Sequence, residues 1–328
     1  MYKAFYNLTR NPFELTPDPF FLFSTPRHNE ALATLYHGVR GRKGFVVLTG
    51  DVGTGKTLLL RCLLQLLKQN GDVAYAYSFN RWLSSMEFLQ SVARSFARTV
   101  SADNKEKILS ELSDFVVARG TRKLTTVLVV DEAHHLSTEV LEEIRLLTNL
   151  ETTQEKLLQV LLVGQPELND KLDSPALWQL KQRIAHRCQL GPLDFDEAKG
   201  YIERRLQLAG SNSNGSPIFA DGTIAAIYRH SRGIPRLINT ICENALITAY
   251  ARQQRSVGPA IVEQIAADFR LNLAVVQSSP NVTSGDVEEE HVGRVARKLL
   301  DLFGYVGRPR GSSNPELRMP VTIESHKK

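Results

Sequence analysis

Cysteine is scarce in this chain of 328 residues: Cys62, Cys188 and Cys242 are the full complement, far apart and odd in number. That usage excludes a disulfide framework and a CxxC metal pattern, and it suits a reducing compartment. Long apolar runs are missing as well. The stretch 127–130 is typical, far below the roughly 20 residues a membrane-spanning helix needs. The opening MYKAFYNLTRNPFEL lacks the basic-then-apolar layout of a signal peptide. A cytoplasmic protein without a transmembrane segment is expected, and peripheral contact with the inner membrane stays open. No internal repeat is visible.

Neither sign of charge dominates. Lys and Arg number 40 against 35 Asp and Glu, a formal net charge of +5. The excess is local. Residues 1–290 hold 32 basic and 32 acidic side chains, whereas 291–328 hold 8 and 3. The body therefore gives no electrostatic case for a nucleic-acid partner. A hydrophobic content of 42% with 23% charged residues excludes wholesale disorder. The length suggests about two domains.

What is present is an alternation. Residues 1–43 are rich in turns and aromatics, with a helix expected over 28–39. Apolar strand candidates then follow at 45–49, 73–79, 126–130 and 157–163. Helical stretches lie between and after them at 58–68, 84–100, 104–119, 138–150 and 175–185. Apolar strands alternating with helices predict an α/β core over 44–192, a parallel sheet covered on both faces. After Pro192 the pattern changes. Helices are expected at 194–210, 221–231, 235–253 and 259–273, making a small all-helical domain over 193–273. A polar, acidic linker over 274–290 leads to a basic amphipathic helix and tail over 291–328. Arg294, Arg297 and Lys298 lie there among apolar positions at helical spacing, fit for a membrane interface, a partner groove or packing back on the body.

The chemistry sits in the alternation. Gly50, Asp51, Val52, Gly53, Thr54, Gly55, Lys56 and Thr57 spell GxxxxGK[ST], the P-loop, between a strand and a helix that Leu58 continues. Glycines let backbone N–H groups close around phosphates at a helix N-terminus. Lys56 is expected to reach the β- and γ-phosphates of ATP, and Thr57 to bind Mg²⁺. Downstream, the apolar run 127–130 delivers Asp131 for the Mg²⁺ shell and Glu132 to polarise a water for in-line attack. The spelling DEAH invites a helicase reading, but the rest of the chain holds no second RecA-like domain and no GRxGR motif. Arg183, with Arg187 second, closes the helix expected after the fourth strand. There it can reach a neighbour's γ-phosphate as an arginine finger, and Arg236 opens a helix from which it can touch nucleotide in cis.

With these motifs the chain resembles the AAA+ ATPases of the ExeA/GspA type and their Orc/Cdc6-like relatives. The resemblance covers about residues 2–272. It rests on FYNLTRNPFELTPDPFFLF, HNEALATL, GFVVLTGDVGTGKT, VLVVDEAHHL, LLVGQPEL, LKQRIAHRCQLGPL and HSRGIPRLIN. It implies a five-stranded core sheet, a helical lid, Mg-ATP binding and hydrolysis at the interfaces of a homo-oligomeric ring or filament. By position, Lys56 and Thr57 match Walker A, Asp131 and Glu132 Walker B, Arg183 or Arg187 the finger, and Arg236 sensor 2. The sensor 1 position falls on Gln165, where AAA+ proteins usually carry a small polar residue. The N-terminal aromatic segment matches the part that covers adenine in relatives, although Phe5 and Phe13 fit a plain core equally well. Secretion-type members continue through a transmembrane helix into a periplasmic peptidoglycan-binding domain, neither of which these residues are expected to contain. Three functions follow: an ATPase that remodels a secretion or envelope assembly; a DNA-associated regulator resembling transposition target-selection ATPases of the TnsC/MuB kind; or a non-hydrolysing scaffold. Glu132 speaks against the third.

Overall fold

The computed structural model describes residues 2–271, apart from 70, 72, 80–82, 97–103, 152–154 and 212–216. The linker, basic helix and tail expected beyond 273 lie outside the described residues. Five strands, β1 (Phe45–Gly50), β2 (Val73–Ser78), β3 (Thr125–Val130), β4 (Leu158–Gly164) and β5 (Ile184–Leu190), form one sheet in the order β2-β3-β4-β1-β5. Every neighbouring pair is parallel.

β1, β3 and β4 are buried along their whole length, hence their unbroken apolar sequences. Alternation along each strand assigns the two faces. Val47, Leu128, Val130, Val160 and Leu162 pack with α4 (Ser85–Phe96), α5 (Lys105–Thr121) and α6 (Thr138–Leu147). Val46, Leu48, Val127, Val129 and Leu161 pack with α2 (Pro26–Arg40) and α3 (Lys56–Gln69). A short helix preceding α2, α1 (Tyr2–Phe5), belongs elsewhere, as shown below.

The chain departs from its sequence reading before and along β5. The stretch 175–185 reads as one helix with Arg183 and Arg187 at its end. Instead, after α7 (Glu167–Leu172), a single 3-10 turn (Pro175–Leu177) leads into the one-turn α8 (Trp178–Lys181). From Ile184 the chain pairs with β1, Val46 against His186 through Gly50 against Leu190. The reason lies in position. As an edge strand, β5 alternates half-buried Ile184, His186 and Cys188 with exposed Ala185, Arg187 and Gln189, so it never shows an apolar run. Arg183 is thus in the turn before β5, and Arg187 projects from the strand itself.

α9 (Phe195–Leu208), α10 (Asp221–Ser231), α11 (Pro235–Ala251) and α12 (Pro259–Asp268) enclose a second core around Ile202, Ile227, Ile238, Cys242, Leu246 and Val262. A capping box, Asp194 with Glu197, starts α9. Tyr2, Tyr6, Leu8 and Phe13 from the N-terminal segment complete this core. Phe13 is fully buried, edge-on to Phe219 with ring centroids 6.0 Å apart, and Phe5 meets Tyr250 at 5.4 Å. Phe13 is a core residue, and Phe5, half-buried, packs against that core. Among the described residues no helix is long and apolar enough to cross a membrane.

The turn between α10 and α11 fixes where α11 begins. Gly233 has φ +75, and its carbonyl accepts the Leu193 N–H at 2.9 Å. A Cβ there would lie 1.9 Å from the Leu193 carbonyl oxygen. Gly233→Ala should therefore destabilise the protein by at least about 1–3 kcal/mol, the cost of a strained left-handed residue before any overlap is counted. Urea unfolding is the check, and an unchanged midpoint would refute this role for Gly233.

Candidate functional site

Ligands of parallel sheets bind outside the strands' carboxyl ends, and the motif residues converge there. β1 runs into the loop 50–55, and α3 begins at Lys56. Gly53, at φ +87, faces the start of α11 so closely that a Cβ would sit 2.7 Å from the Cβ of Arg236 and 3.0 Å from Ile234. Its carbonyl accepts the Arg236 N–H at 3.2 Å. Thr54 is buried, its hydroxyl bonded to the Asp51 carbonyl at 2.9 Å, whereas Val52 is exposed at the tip.

Lys56 is buried, and its ammonium donates to the carbonyls of Gly50 (2.6 Å) and Asp51 (2.8 Å). Burial pushes its pKa down, and the carboxylates of Glu132, Asp131 and Asp51 oppose that shift. Asp131 follows β3 directly. Its Oδ2 accepts from the Tyr77 hydroxyl (2.6 Å) and the Thr57 hydroxyl (3.3 Å), and its Oδ1 from the Glu132 N–H (2.9 Å). A hydroxyl and a carboxylate meeting across the loop are the oxygen donors that Mg²⁺ takes, so these residues fit that ion. Burial and the adjacent carboxylate raise the Tyr77 pKa, keeping the phenol a donor.

Glu132 itself is left-handed, φ 56 and ψ 33, and its Oε2 is covered without a hydrogen-bond partner. Nearest is Nε2 of His134, at 3.6 Å. Gln165, just past β4, contacts the same ring twice: its backbone N–H donates to Nδ1 at 3.3 Å, and its side-chain amide lies 2.9 Å from Nε2. Glu132, His134 and His135 bring ligand atoms within 4.8 Å of one another, a set able to hold a metal ion. Burial first, and then the neighbouring His135, lowers the His134 pKa.

The cleft beside the P-loop is lined by residues 14–17, by Val52, Gly53, Gly55, Lys56, Thr57, Leu58 and Glu132, and by Tyr201, Arg205, Pro235, Arg236 and Asn239. So the N-terminal segment does border the cleft, through 14–17 rather than through Phe5 or Phe13. Arg205 anchors it there. Buried between the Phe21 and Tyr201 rings, it donates to the Pro12 carbonyl at 2.5 Å. The Tyr201 hydroxyl donates to Asn239 Oδ1 at 2.8 Å. Arg183 and Arg187 are not brought to this cleft. Arg183 bonds Asn149 at 2.6 Å, and Arg187 pairs with Asp173 at 3.3 Å.

Sequence reasoning passed over several of these groups. Tyr77 hides inside a strand pattern and leaves no signal. His134 stands in the DEAH spelling, and His28 in HNEALATL. His28 is buried, its Nδ1 2.8 Å from the Thr25 hydroxyl, and its ring stands against the P-loop at Gly55. Tyr201, Arg205 and Asn239 read only as amphipathic helix positions.

An AAA domain model matches residues 39–172. General secretion pathway protein A of Aeromonas hydrophila is 44% identical over 258 residues, covering 78% of this chain and 46% of that protein. The chain thus spans about half the length of the curated relative it matches. Among solved structures, Cdc6p of Pyrobaculum aerophilum aligns at TM-score 0.59 and 18% identity, over 76% of this chain and 70% of that one. The ADPNP–ADP complexes of the Aeropyrum pernix ORC2 protein align at 0.56 and 17%, over 79% and 71%. The Aeropyrum pernix ORC1 protein in complex with DNA aligns at 0.57 and 16%, over 79% and 69%. At such identities these structures speak to fold alone. Taken with the P-loop, the acidic end of β3 and the five-stranded sheet, the matches fit an AAA+ P-loop protein of the ExeA/GspA type.

Proposed function

We propose that this protein binds and hydrolyses Mg-ATP and couples turnover at subunit interfaces to assembly or remodelling of a partner complex, of the secretion or envelope type. One observation carries the ATPase reading. The P-loop, Thr57 with its hydroxyl on Asp131, Glu132 and the Arg236 end of the lid come together, and all but Asp131 line a single cleft. In this reading, loop N–H groups and Lys56 hold the phosphates, which Lys56 reaches by leaving the Gly50 and Asp51 carbonyls. Thr57 and Asp131 hold Mg²⁺, which supplies charge neutralisation on the phosphates. Glu132 takes the proton of the attacking water as general base. Arg236 acts in cis from the lid. Residues 14–17 with Tyr201, Arg205 and Asn239 make the base side. Arg183, or Arg187, acts on a neighbouring subunit's nucleotide in this reading; neither lines its own cleft.

The kinship with general secretion pathway protein A supports an envelope role. A DNA-associated regulator of the transposition target-selection kind is the second reading. DNA affinity measured against salt separates them. A steep log–log slope, near −0.9 per phosphate contact, supports the second reading, and no binding at low salt removes it.

Lys56→Ala should weaken ATP binding by roughly 10- to 100-fold or more, the loss of one charge-assisted contact. Unaltered affinity in a fluorescent-nucleotide titration would refute the P-loop assignment. Glu132→Gln should keep ATP affinity while turnover falls by about 10²- to 10⁴-fold, the usual worth of a positioned base; phosphate release is the assay. If Arg183 acts in trans, Arg183→Ala and Lys56→Ala chains, each inactive alone, should regain activity when mixed. Persistent inactivity of the mixture would count against a shared site.

A further inference from the structure

We propose that His134 is a positioning residue that passes its single ring N–H between Gln165 and Glu132, coupling the end of β4 to the orientation of the water-activating carboxylate. This rests on the reading of Glu132 as that carboxylate. The ring's hydrogen bonds carry the inference. Nδ1 accepts the Gln165 backbone N–H at 3.3 Å, so a neutral imidazole must bear its proton on Nε2. That N–H faces two groups, the Gln165 side-chain amide at 2.9 Å and Glu132 Oε2 at 3.6 Å. The amide nitrogen is the atom placed at 2.9 Å, and two donors cannot pair, so the amide is assigned flipped, with its oxygen on the ring N–H. One N–H cannot fully serve both acceptors. Held toward Gln165, it leaves Glu132 Oε2 covered and without a hydrogen bond, an arrangement that costs free energy until a donor arrives.

Gln165 is placed to release that N–H. It follows Gly164, the register partner of Thr49, which itself precedes Gly50 of the P-loop. Its amide therefore lies at the phosphate end of the sheet. Drawing the amide toward the phosphates frees the ring N–H, and a ring shift of less than about 1 Å brings Nε2 to hydrogen-bond distance of Glu132. The backbone beneath the ring is pinned. Lys171 donates to the carbonyls of His134 (2.6 Å) and Leu136 (2.7 Å), so the movement falls on the side chain. One Glu132 oxygen is then fixed by His134 and the other is aimed at water. No proton leaves the ring in this exchange.

His134→Ala should lower kcat by about 10- to 100-fold, the scale of a misplaced catalytic group, with the Kd for a non-hydrolysable ATP analogue and the Tm unchanged. Gln165→Ala should lower kcat likewise, and the double variant should be no slower than the slower single one, because both act through one N–H. His134→Gln, which returns an N–H donor near Nε2, should recover most of the rate. Independently of turnover, ¹⁵N NMR of the full chain should show the His134 ring protonated at Nε2. The Mg-bound analogue should shift that nitrogen in the native chain and not in Gln165→Ala. An Nδ1-protonated ring, multiplicative losses in the double variant, or full turnover in His134→Ala would overturn the proposal. If His134→Ala does not fold, the tautomer and the His134→Gln rate still decide. Full turnover in Glu132→Gln would instead overturn the reading beneath it. Loss in Glu132→Gln alongside full turnover in His134→Ala would overturn only the relay.

Discussion

The site depends on one backbone contact, the Arg236 N–H on the Gly53 carbonyl, where the lid touches the P-loop. Each core closes without the other: one surrounds the sheet, the other joins the lid helices to the first residues of the chain. The cleft is different. Its phosphate side comes from the β1–α3 turn, its base side from α9, α11 and residues 14–17. It exists only while the two bodies are apposed at this contact. The absence of a side chain at Gly53 is therefore structural as well as phosphate-directed, since a Cβ would separate the surfaces. Gly233 serves the same end from the lid side, fixing the start of α11 by its bond to Leu193.

Around that contact the charges constrain one another. Burial disfavours the charged form of Lys56, and three carboxylates, Glu132, Asp131 and Asp51, compensate. Arg236, arriving with the lid, acts in the opposite direction. The lid thus adds positive potential beside the loop, which a polyphosphate would relieve. Asp131 meanwhile is held by three donors from three segments, Tyr77 on β2, Thr57 on α3 and the Glu132 backbone. The carboxylate is oriented by the fold before any ion is considered.

Much of this was legible in the residues. Unbroken apolar runs revealed β1, β3 and β4 because they are buried on both faces, and a P-loop between strand and helix has few alternative explanations. β5 was illegible as a strand for the opposite reason: one side is exposed, and IAHRCQL interleaves polar with apolar residues. Within the stretch 175–185, read as one helix, Leu177 and Leu180 are both fully buried and fall in two separate short turns. Tyr77, Arg205 and Asn239 could not be found by motif, since their importance comes from segments distant in sequence. Arg205 meets the Pro12 carbonyl across 193 positions.

Placing the turn at Arg183 outside any helix bears on how a finger would act. Its guanidinium is held against the C-terminal end of α6, by Asn149 at 2.6 Å and more loosely by Thr148 (3.4 Å) and the Arg145 carbonyl (3.5 Å). All three partners are neutral. Bonds from a guanidinium to neutral acceptors lack the opposite charge of an ion pair, and the two long ones are weaker still. A phosphate acceptor offers charge-assisted bonds of about 1.5–3 kcal/mol each, often two at once to an arginine. The balance favours release only when a charged acceptor is presented. An Arg183 that parks on α6 in a lone subunit and transfers to a neighbour's nucleotide would make subunit contact and nucleotide occupancy favour each other. Arg187 has the weaker claim, because its parking partner is the Asp173 carboxylate, which it would have to give up to leave.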